Sequence, residues 1–225
     1  MTQGPSVVTG QDDGGQSAAA DPAAAEAYRI LRSRIDLSVL PPLTRAVTEA
    51  VVCATADFDY VTDLVCNETA LAAGVSALKC GAPVVADSAM VAAGLDGCAV
   101  ICKAAEPLTA RLARTAGISV AAAGVRLGFA ESGPGAVWVV GTAPGAIHEI
   151  LRRFTHPALV IGVPVGLDGA AAAKDALRVS GVPCLSNMSE KGGPAVAAAA
   201  FGVLLRIAAG AGGVATGAGR NAPRI

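Results

Sequence analysis

Short apolar runs alternate with amphipathic segments along the middle of this chain. Apolar runs bounded by glycine, proline or polar residues predict buried strands at residues 83–87, 98–102, 136–140, 157–163 and 183–187. Helical spacing of apolar positions predicts helices at residues 23–37, 43–54, 68–80, 88–94, 109–116, 120–127, 144–154 and 194–209, and one that ends near residue 179. This alternation indicates an α/β fold, a mostly parallel sheet with helices on both faces.

The two ends of the chain depart from this pattern. Residues 1–22 are rich in Gly, Ser, Ala, Gln and Asp, and residues 209–225 are rich in Gly and Ala. Neither end can bury enough apolar surface to offset the entropy of ordering it, so we expect two disordered tails. Residues 23–208 suit a single domain with a full core. Within it, residues 57–63 are expected to form a polar break, and the pattern leaves residues 119–124 ambiguous.

The strand that ends at Gly162 leads into the strongest local signal, a glycine-rich turn through Gly166 and Gly169 and then a helix. A strand, a glycine turn and a helix start direct free backbone N–H groups and the positive end of a helix dipole at one place. The spacing fits neither a dinucleotide fingerprint nor a P-loop. The turn therefore predicts either a site for a carboxylate or phosphate, or a tight connection without a ligand.

Composition and charge narrow the classes of function. The net charge is −1 and no basic stripe is present, so we expect no nucleic-acid partner. The longest apolar stretch, residues 194–205, is too short to span a membrane, and the first residues do not resemble a signal peptide. The 6 cysteines show no metal-ligand spacing, so we expect reduced thiols, no metal and a cytoplasmic protein.

Several blocks of residues carry a resemblance when they are taken together. They read CATADFDY at 53–60, KCGAPVVADSAMVAAG at 79–94, VAAA at 120–123, GTAPGA at 141–146, GVPVG at 162–166 followed by Lys174, and KGG at 191–193. In order and spacing these blocks resemble the precorrin-8X methylmutase (precorrin isomerase) family of cobalamin biosynthesis, over roughly residues 24–208.

The resemblance implies a homodimer of α/β subunits that binds a large polycarboxylate corrinoid, a tetrapyrrole. It implies a 1,5-sigmatropic shift of a methyl group from C11 to C12 of the macrocycle, with no external cofactor and no metal. The protein must hold the ring in a reactive shape and supply a proton or hydrogen bond to its nitrogens, a task that the family gives to a histidine.

The chain departs from the family pattern at the residue that does the chemistry. Cys53 stands where the family's histidine is expected, and Ser119 and Glu190 stand where basic residues are expected. Ala27 stands where a serine is usual. A thiol is a weaker acid and a poorer hydrogen-bond donor than an imidazolium. Cys53 is therefore a proton donor, a nucleophile for different chemistry, or a small residue that fills space.

The resemblance also assigns the rest of the site. Its substrate-binding positions fall on Arg32, Asp87, Met90, Ser119, Ala121, Gly141, Thr142, Ala143, Gly166, Lys174, Gly192 and Gly193. We expect Asp87 to anchor a loop by accepting backbone hydrogen bonds. Lys174 is either a partner for a ligand carboxylate or a solvated helix lysine. His148 and His156 are expected at the surface, so neither replaces the missing acid.

Three functions stay open on these residues. The first is a methylmutase-like isomerase that acts on a corrin precursor. The second is a non-catalytic paralogue that binds a tetrapyrrole, which the absent histidine favours. The third is an enzyme repurposed for a different, less acidic substrate, which the losses of positive charge favour.

Overall fold

The computed structural model describes residues 22–153 and 155–210. Its elements are α1 (Pro22–Arg34), α2 (Pro42–Thr55), α3 (Tyr60–Asp63), β1 (Leu64–Cys66), α4 (Glu68–Lys79), β2 (Val84–Ala86), α5 (Ala89–Ala92), β3 (Val100–Cys102), α6 (Pro107–Ala116), α7 (Val120–Ser132), β4 (Val137–Val140), α8 (Pro144–Arg152), β5 (Leu159–Gly162), α9 (Ala170–Val179), β6 (Cys184–Asn187) and α10 (Pro194–Ala208). None of the described helices is long and apolar enough to cross a membrane.

The strands form one sheet in the order β1-β6-β5-β4-β2-β3. All neighbouring pairs are parallel except β1 with β6. Side chains of successive strand residues lie on opposite faces of the sheet and belong to two separate hydrophobic cores. Val137 and Val139 pack with α2, α4 and α10, whereas Trp138 and Val140 pack with α7 and α8. The strands are thus buried on both faces, which is why they read as unbroken apolar runs. The predicted α/β fold is confirmed.

Polar side chains fix where several helices begin. The side chains of Asn67, Ser88 and Ser119 each accept a backbone N–H in the first turn of α4, α5 and α7. The carboxylate of Glu68 accepts the N–H groups of Leu43 and Thr44 and so holds the start of α2 against α4. These bonds satisfy N–H groups that have no partner inside the helix.

The structure corrects several predicted boundaries. The expected polar break at 57–63 contains α3, and β1 follows it as a short antiparallel edge strand, with Leu64 opposite Asn187. The ambiguous segment after Ser119 belongs to α7, which continues five residues beyond the expected end at Leu127 to Ser132. The two expected tails lie outside the described residues, apart from Pro22 and residues 209–210. The predicted end of α8 at residue 154 also lies outside them, and α8 ends at Arg152.

The loops at the carboxyl ends of the parallel strands meet along one edge of the sheet. We call this edge the crest: residues 87–88, 141–143, 163–169 and 188–193. Two backbone bonds join the loops after β5 and β6, from Gly193 N to Val163 O (2.8 Å) and from Gly166 N to Glu190 O (3.1 Å). Gly192 lies between them with φ +147°, and a Cβ there would lie 2.2 Å from Val163 O. Only glycine fits this position.

Candidate functional site

The chain reverses its winding direction between β2 and β4, where binding sites of open α/β sheets are found. Asp87 follows β2 at this place. Its carboxylate accepts the N–H groups of Thr142 (2.9 Å), Ala143 (2.9 Å) and Gly141 (3.3 Å), and the hydroxyl of Thr142 (2.7 Å). Asp87 is thus the loop anchor expected from the sequence. The backbone N–H groups of residues 141–143 are directed at this carboxylate rather than at an open anion site.

Three helices begin at the crest without a side-chain cap. The cap positions of α8, α9 and α10 are Ala143, Gly169 and Gly193, and none of these makes a side-chain bond to the helix within the described residues. The first-turn N–H groups of a helix carry a partial positive charge and can donate hydrogen bonds to an anion. The glycine turn at 162–169 therefore keeps the geometry that predicted a carboxylate or phosphate site.

Large apolar side chains border these helix ends. Those that are at least a third exposed here are Met90, Val120, Val165, Leu167 and Met188. Leu167 has 92% of its surface exposed and Met90 has 67%. Several exposed apolar side chains at one edge of a sheet are typical of a surface that a ligand or partner covers. Met90, predicted to bind substrate, lies in this apolar border.

Lys174 differs from both of its predicted roles. Its side chain is 0% exposed, although it is a helix lysine. The ammonium group donates to Asn187 Oδ1 (2.9 Å), to Lys191 O (2.7 Å) and to Ser189 O. Burial lowers its pKa to about 8. All three N–H bonds are made to the last residue of β6 and to the β6–α10 loop, so a ligand carboxylate would find no free donor on this group.

Asp63 shares this network, although the sequence did not single it out. Its carboxylate accepts Asn187 Nδ2 (2.8 Å), the N–H groups of Met188 (3.0 Å) and Ser189 (2.7 Å), and the Ser189 hydroxyl (2.8 Å). Burial acts to raise the pKa of Asp63, but the hydrogen bonds from Asn187 and Ser189 outweigh it and hold the pKa below its usual range. Asp63 and Lys174 therefore fix the loop that carries Gly192 and Gly193.

Cys53 lies in the last turns of α2, in a cluster with Arg32 and Glu49. Arg32 binds Glu49 through Nε–Oε1 (2.9 Å) and Nη2–Oε2 (2.7 Å), and its guanidinium lies 5.7 Å from the centroid of the Tyr28 ring. Burial and the charge of Glu49 raise the pKa of the Cys53 thiol, and Arg32 opposes them. The structure thus brings the predicted residues Cys53 and Arg32 together, with the thiol neutral at pH 7.

An ion-pair network joins α2 to the crest. Lys191 Nζ lies 2.8 Å from Asp57 Oδ2 and 2.5 Å from Asp59 Oδ2. Asp57 and Asp59 follow the C-terminus of α2, and Lys191 precedes Gly192. These ion pairs therefore connect the end of α2, the helix that carries Cys53, to the loop that contains Gly192. The resemblance of the sequence blocks did not predict this connection.

Ser119 and Ala121 lie where α7 begins. Ser119 is exposed, and its hydroxyl accepts the N–H of Ala122 (3.1 Å). A Cβ added to Gly145, in the first turn of α8, would lie 3.2 Å from Ser119 Oγ. Ala121 is half-buried against the core on this face of the sheet. Ser119 is thus free to meet a ligand, whereas Ala121 contributes mainly packing.

Of the concavities among the described residues, two bear on the predicted sites, and Cys53 lines neither. One, of about 370 Å³, lies at the amino ends of β5 and β6 beside the exposed His156. The other, of about 450 Å³, lies between α7 and α8 and includes Ser119 and the exposed His148. Both histidines are at the surface, as expected. Within residues 22–153 and 155–210, no group of His, Cys, Asp and Glu is arranged to hold a metal ion.

Comparison with known proteins gives one consistent result. The family profile described as precorrin-8X methylmutase matches residues 23–207. Cobalt-precorrin-8 methylmutase of Salmonella typhimurium is 33% identical over 183 residues, 78% of this chain and 87% of that protein. The protein of the same name from Methanocaldococcus jannaschii is 36% identical over 157 residues, 68% of this chain and 74% of that protein. Precorrin-8X methylmutase of Thermus thermophilus, a solved structure 32% identical, has a TM-score of 0.75 and covers 84% of this chain and 98% of that one.

Proposed function

Because the chain belongs to the precorrin-8X methylmutase family, we propose that it is an isomerase that moves a methyl group within a corrin precursor of cobalamin biosynthesis. One observation from the geometry carries this proposal: the N-termini of α9 and α10 have no side-chain cap and lie at the same edge of the sheet as the exposed apolar side chains, whereas the Asp87 carboxylate lies at the start of α8. A corrin precursor is a broad apolar ring bordered by carboxylates, so its edge suits the helix ends and its face suits the apolar border.

The reaction places modest demands on the protein. A methyl shift within one molecule needs no second substrate, so positioning the ring and donating a hydrogen bond to its nitrogens are the main tasks. We assign the donor role to Cys53, whose thiol keeps its proton at pH 7 because burial and Glu49 raise its pKa. A thiol is a weak donor, so we expect turnover slower by about 10² to 10⁴ than with a positioned imidazole.

We also propose a homodimer in which the crest faces a second copy. The exposed Met90, Leu167 and Met188 support this, since a partner would remove them from water. Light scattering after size exclusion would show two copies, and a monomer over a wide concentration range would reject this part of the proposal.

The six cysteines, all free thiols, support a cytoplasmic location.

A non-catalytic tetrapyrrole-binding protein is the second candidate. It is favoured by the same neutral thiol, because a cysteine of raised pKa is both a weak acid and a weak nucleophile. In that case the crest would hold the pigment without converting it.

Purified protein incubated with precorrin-8X separates the two functions. Conversion seen in the visible spectrum, lost in Cys53→Ala, supports the isomerase. Pigment that elutes with the protein but does not change supports the binding protein. If the pigment neither changes nor elutes with the protein, both functions are rejected.

A further inference from the structure

A groove between α7 and α8 opens beside the crest and contains more positive than negative charge. Its volume is about 450 Å³, and its polar lining consists of Ser119, Arg126, His148, Glu149 and Arg152. Gly145 lines the end of the groove that is nearest the crest, next to Ser119. None of these positions except Ser119 belongs to the site that the family resemblance assigned.

One buried carboxylate organises the cations of this groove. Glu149 is 4% exposed, and its oxygens accept Arg126 Nε (2.8 Å), Arg152 Nε (3.0 Å), Arg152 Nη2 (2.8 Å) and Arg153 Nε (2.8 Å). Burial acts to raise the pKa of Glu149, but the three arginines outweigh it and hold the pKa below its usual range. Three guanidinium groups against one carboxylate leave a formal excess of two positive charges.

Both groove arginines lie two helical turns from the crest end of their helices, and both donate to Glu149. Arg126 follows Ser119 by two helical turns on α7, and Arg152 follows Gly145 by two turns on α8. Side chains on a helix lean toward its N-terminus, so both guanidinium groups lean back along the groove. Among the described residues Arg126 bonds only through Nε, which leaves its Nη donors for another acceptor.

We propose that this groove binds a peripheral carboxylate of the macrocyclic substrate, with Arg126 and Arg152 supplying the positive charge that Ser119 lacks. The inference rests on the proposed function, because it takes the corrin precursor as the ligand at the crest. The two Nη groups of Arg126 suit a carboxylate, since they offer parallel N–H donors, whereas Arg152 donates to Glu149 through Nε and Nη2 and contributes charge and its Nη1 donors. The groove is then a specificity site for an acidic edge of the ring.

Arg153 provides a matched control. It binds the same Glu149 carboxylate and sits next to Arg152 in sequence, but it does not line the groove. Each change removes one guanidinium partner of Glu149, with three hydrogen bonds lost for Arg152 and one for Arg153, and only Arg152 would also remove a ligand contact.

Equilibrium dialysis with precorrin-8X, on wild type, Arg152→Gln and Arg153→Gln, tests the proposal. One lost charge-assisted contact at an exposed arginine should weaken pigment binding by about 5- to 20-fold in Arg152→Gln, with the effect decreasing at high salt. Arg153→Gln should stay within about twofold of wild type, because Arg153 does not line the groove and so makes no contact with the ligand. Circular dichroism melting curves confirm that both variants are folded.

The other outcomes overturn the inference, and they differ from failure of the proposed function. Equal losses in the two variants would mean that the arginines serve only the ion pair. No loss in either would mean that the groove is not used, while the isomerase proposal stands. Wild-type protein that retains no pigment would reject the proposed function and this inference with it. NMR of the His148 ring separates ligand sources: shifts with inorganic phosphate but not with pigment would assign the groove to a free anion and overturn the proposal.

Discussion

The guanidinium of Arg32 and the carboxylate of Glu49 form a two-point ion pair, with contacts of 2.9 and 2.7 Å, one helical turn before Cys53. Glu49 is 5% exposed, so water screens its charge only weakly, and the ion pair acts directly on the neighbouring Cys53 thiol. Because the two charges act on the thiol in opposite senses, their balance determines how readily Cys53 loses its proton.

Glu49→Gln should make Cys53 more reactive. Removing the negative charge lowers the pKa of the thiol, and the thiolate fraction at pH 8 rises. Arg32→Gln should have the opposite effect, because it removes the charge that stabilises the thiolate. The rate of iodoacetamide alkylation at Cys53, followed by peptide mass spectrometry with the exposed Cys80 as reference, measures both. Equal rates in the two variants would show that the ion pair does not act on the thiol.

Asp87→Ala should destabilise the protein by about 2 to 3 kcal/mol, since it leaves the N–H groups of residues 141–143 without their charged acceptor. The midpoint of urea unfolding reports the change. Asp96→Ala is the control, because Asp96 is an exposed loop carboxylate and its removal should cost little. A similar midpoint in both variants would contradict the anchoring role of Asp87.

Lys174→Met should lower stability at pH 7, since it leaves Asn187 Oδ1 and two loop carbonyls without donors. The pH dependence gives a sharper result. The folded protein releases the Lys174 proton near pH 8, whereas the unfolded chain holds it until about pH 10.4. Between these values the unfolded state binds more protons, so stability rises with pH.

The free energy of unfolding of wild type, relative to Lys174→Met, should therefore increase from pH 7 to pH 10. The comparison cancels the titration of other groups, which both proteins share. Parallel profiles over this range would show that Lys174 is not the group whose proton is released on folding.

Gly192→Ala should be among the most destabilising single-methyl changes, about 3 kcal/mol or more, because a Cβ would overlap Val163 O and the backbone has positive φ. Gly181→Ala isolates the backbone contribution, since Gly181 also has positive φ but a Cβ there meets nothing within 4 Å. That variant should lose about 1 kcal/mol. Equal losses, measured by urea unfolding, would show that crest packing adds nothing.

The sheet could be predicted because strands buried on both faces read as apolar runs, as in Val84–Ala86 and Leu159–Gly162. Strand β1 could not be predicted from the sequence, because its three residues are at most half-buried and it is held by pairing with β6, more than 100 residues away. Strands of this length are specified by tertiary contacts rather than by their own pattern.

The site was predicted in part. Positions near strand ends, such as Asp87 and the glycine turns, follow from chain geometry alone. The network of Asp63, Lys174 and Asn187 joins distant segments and was not expected. One signal was present: Lys174 shares helical spacing with Ala170, Ala173 and Leu177, which places it on the buried face of α9.

The claim that Cys53 stands in the place of a proton-donating imidazole is tested most directly by single-turnover conversion of precorrin-8X, comparing wild type with Cys53→His. We predict measurable conversion by wild type and a rate about 10² to 10⁴ higher in Cys53→His, with pigment affinity little changed. Wild-type conversion that Cys53→His leaves equal or slows would contradict this account, because the thiol would then not occupy the donor position.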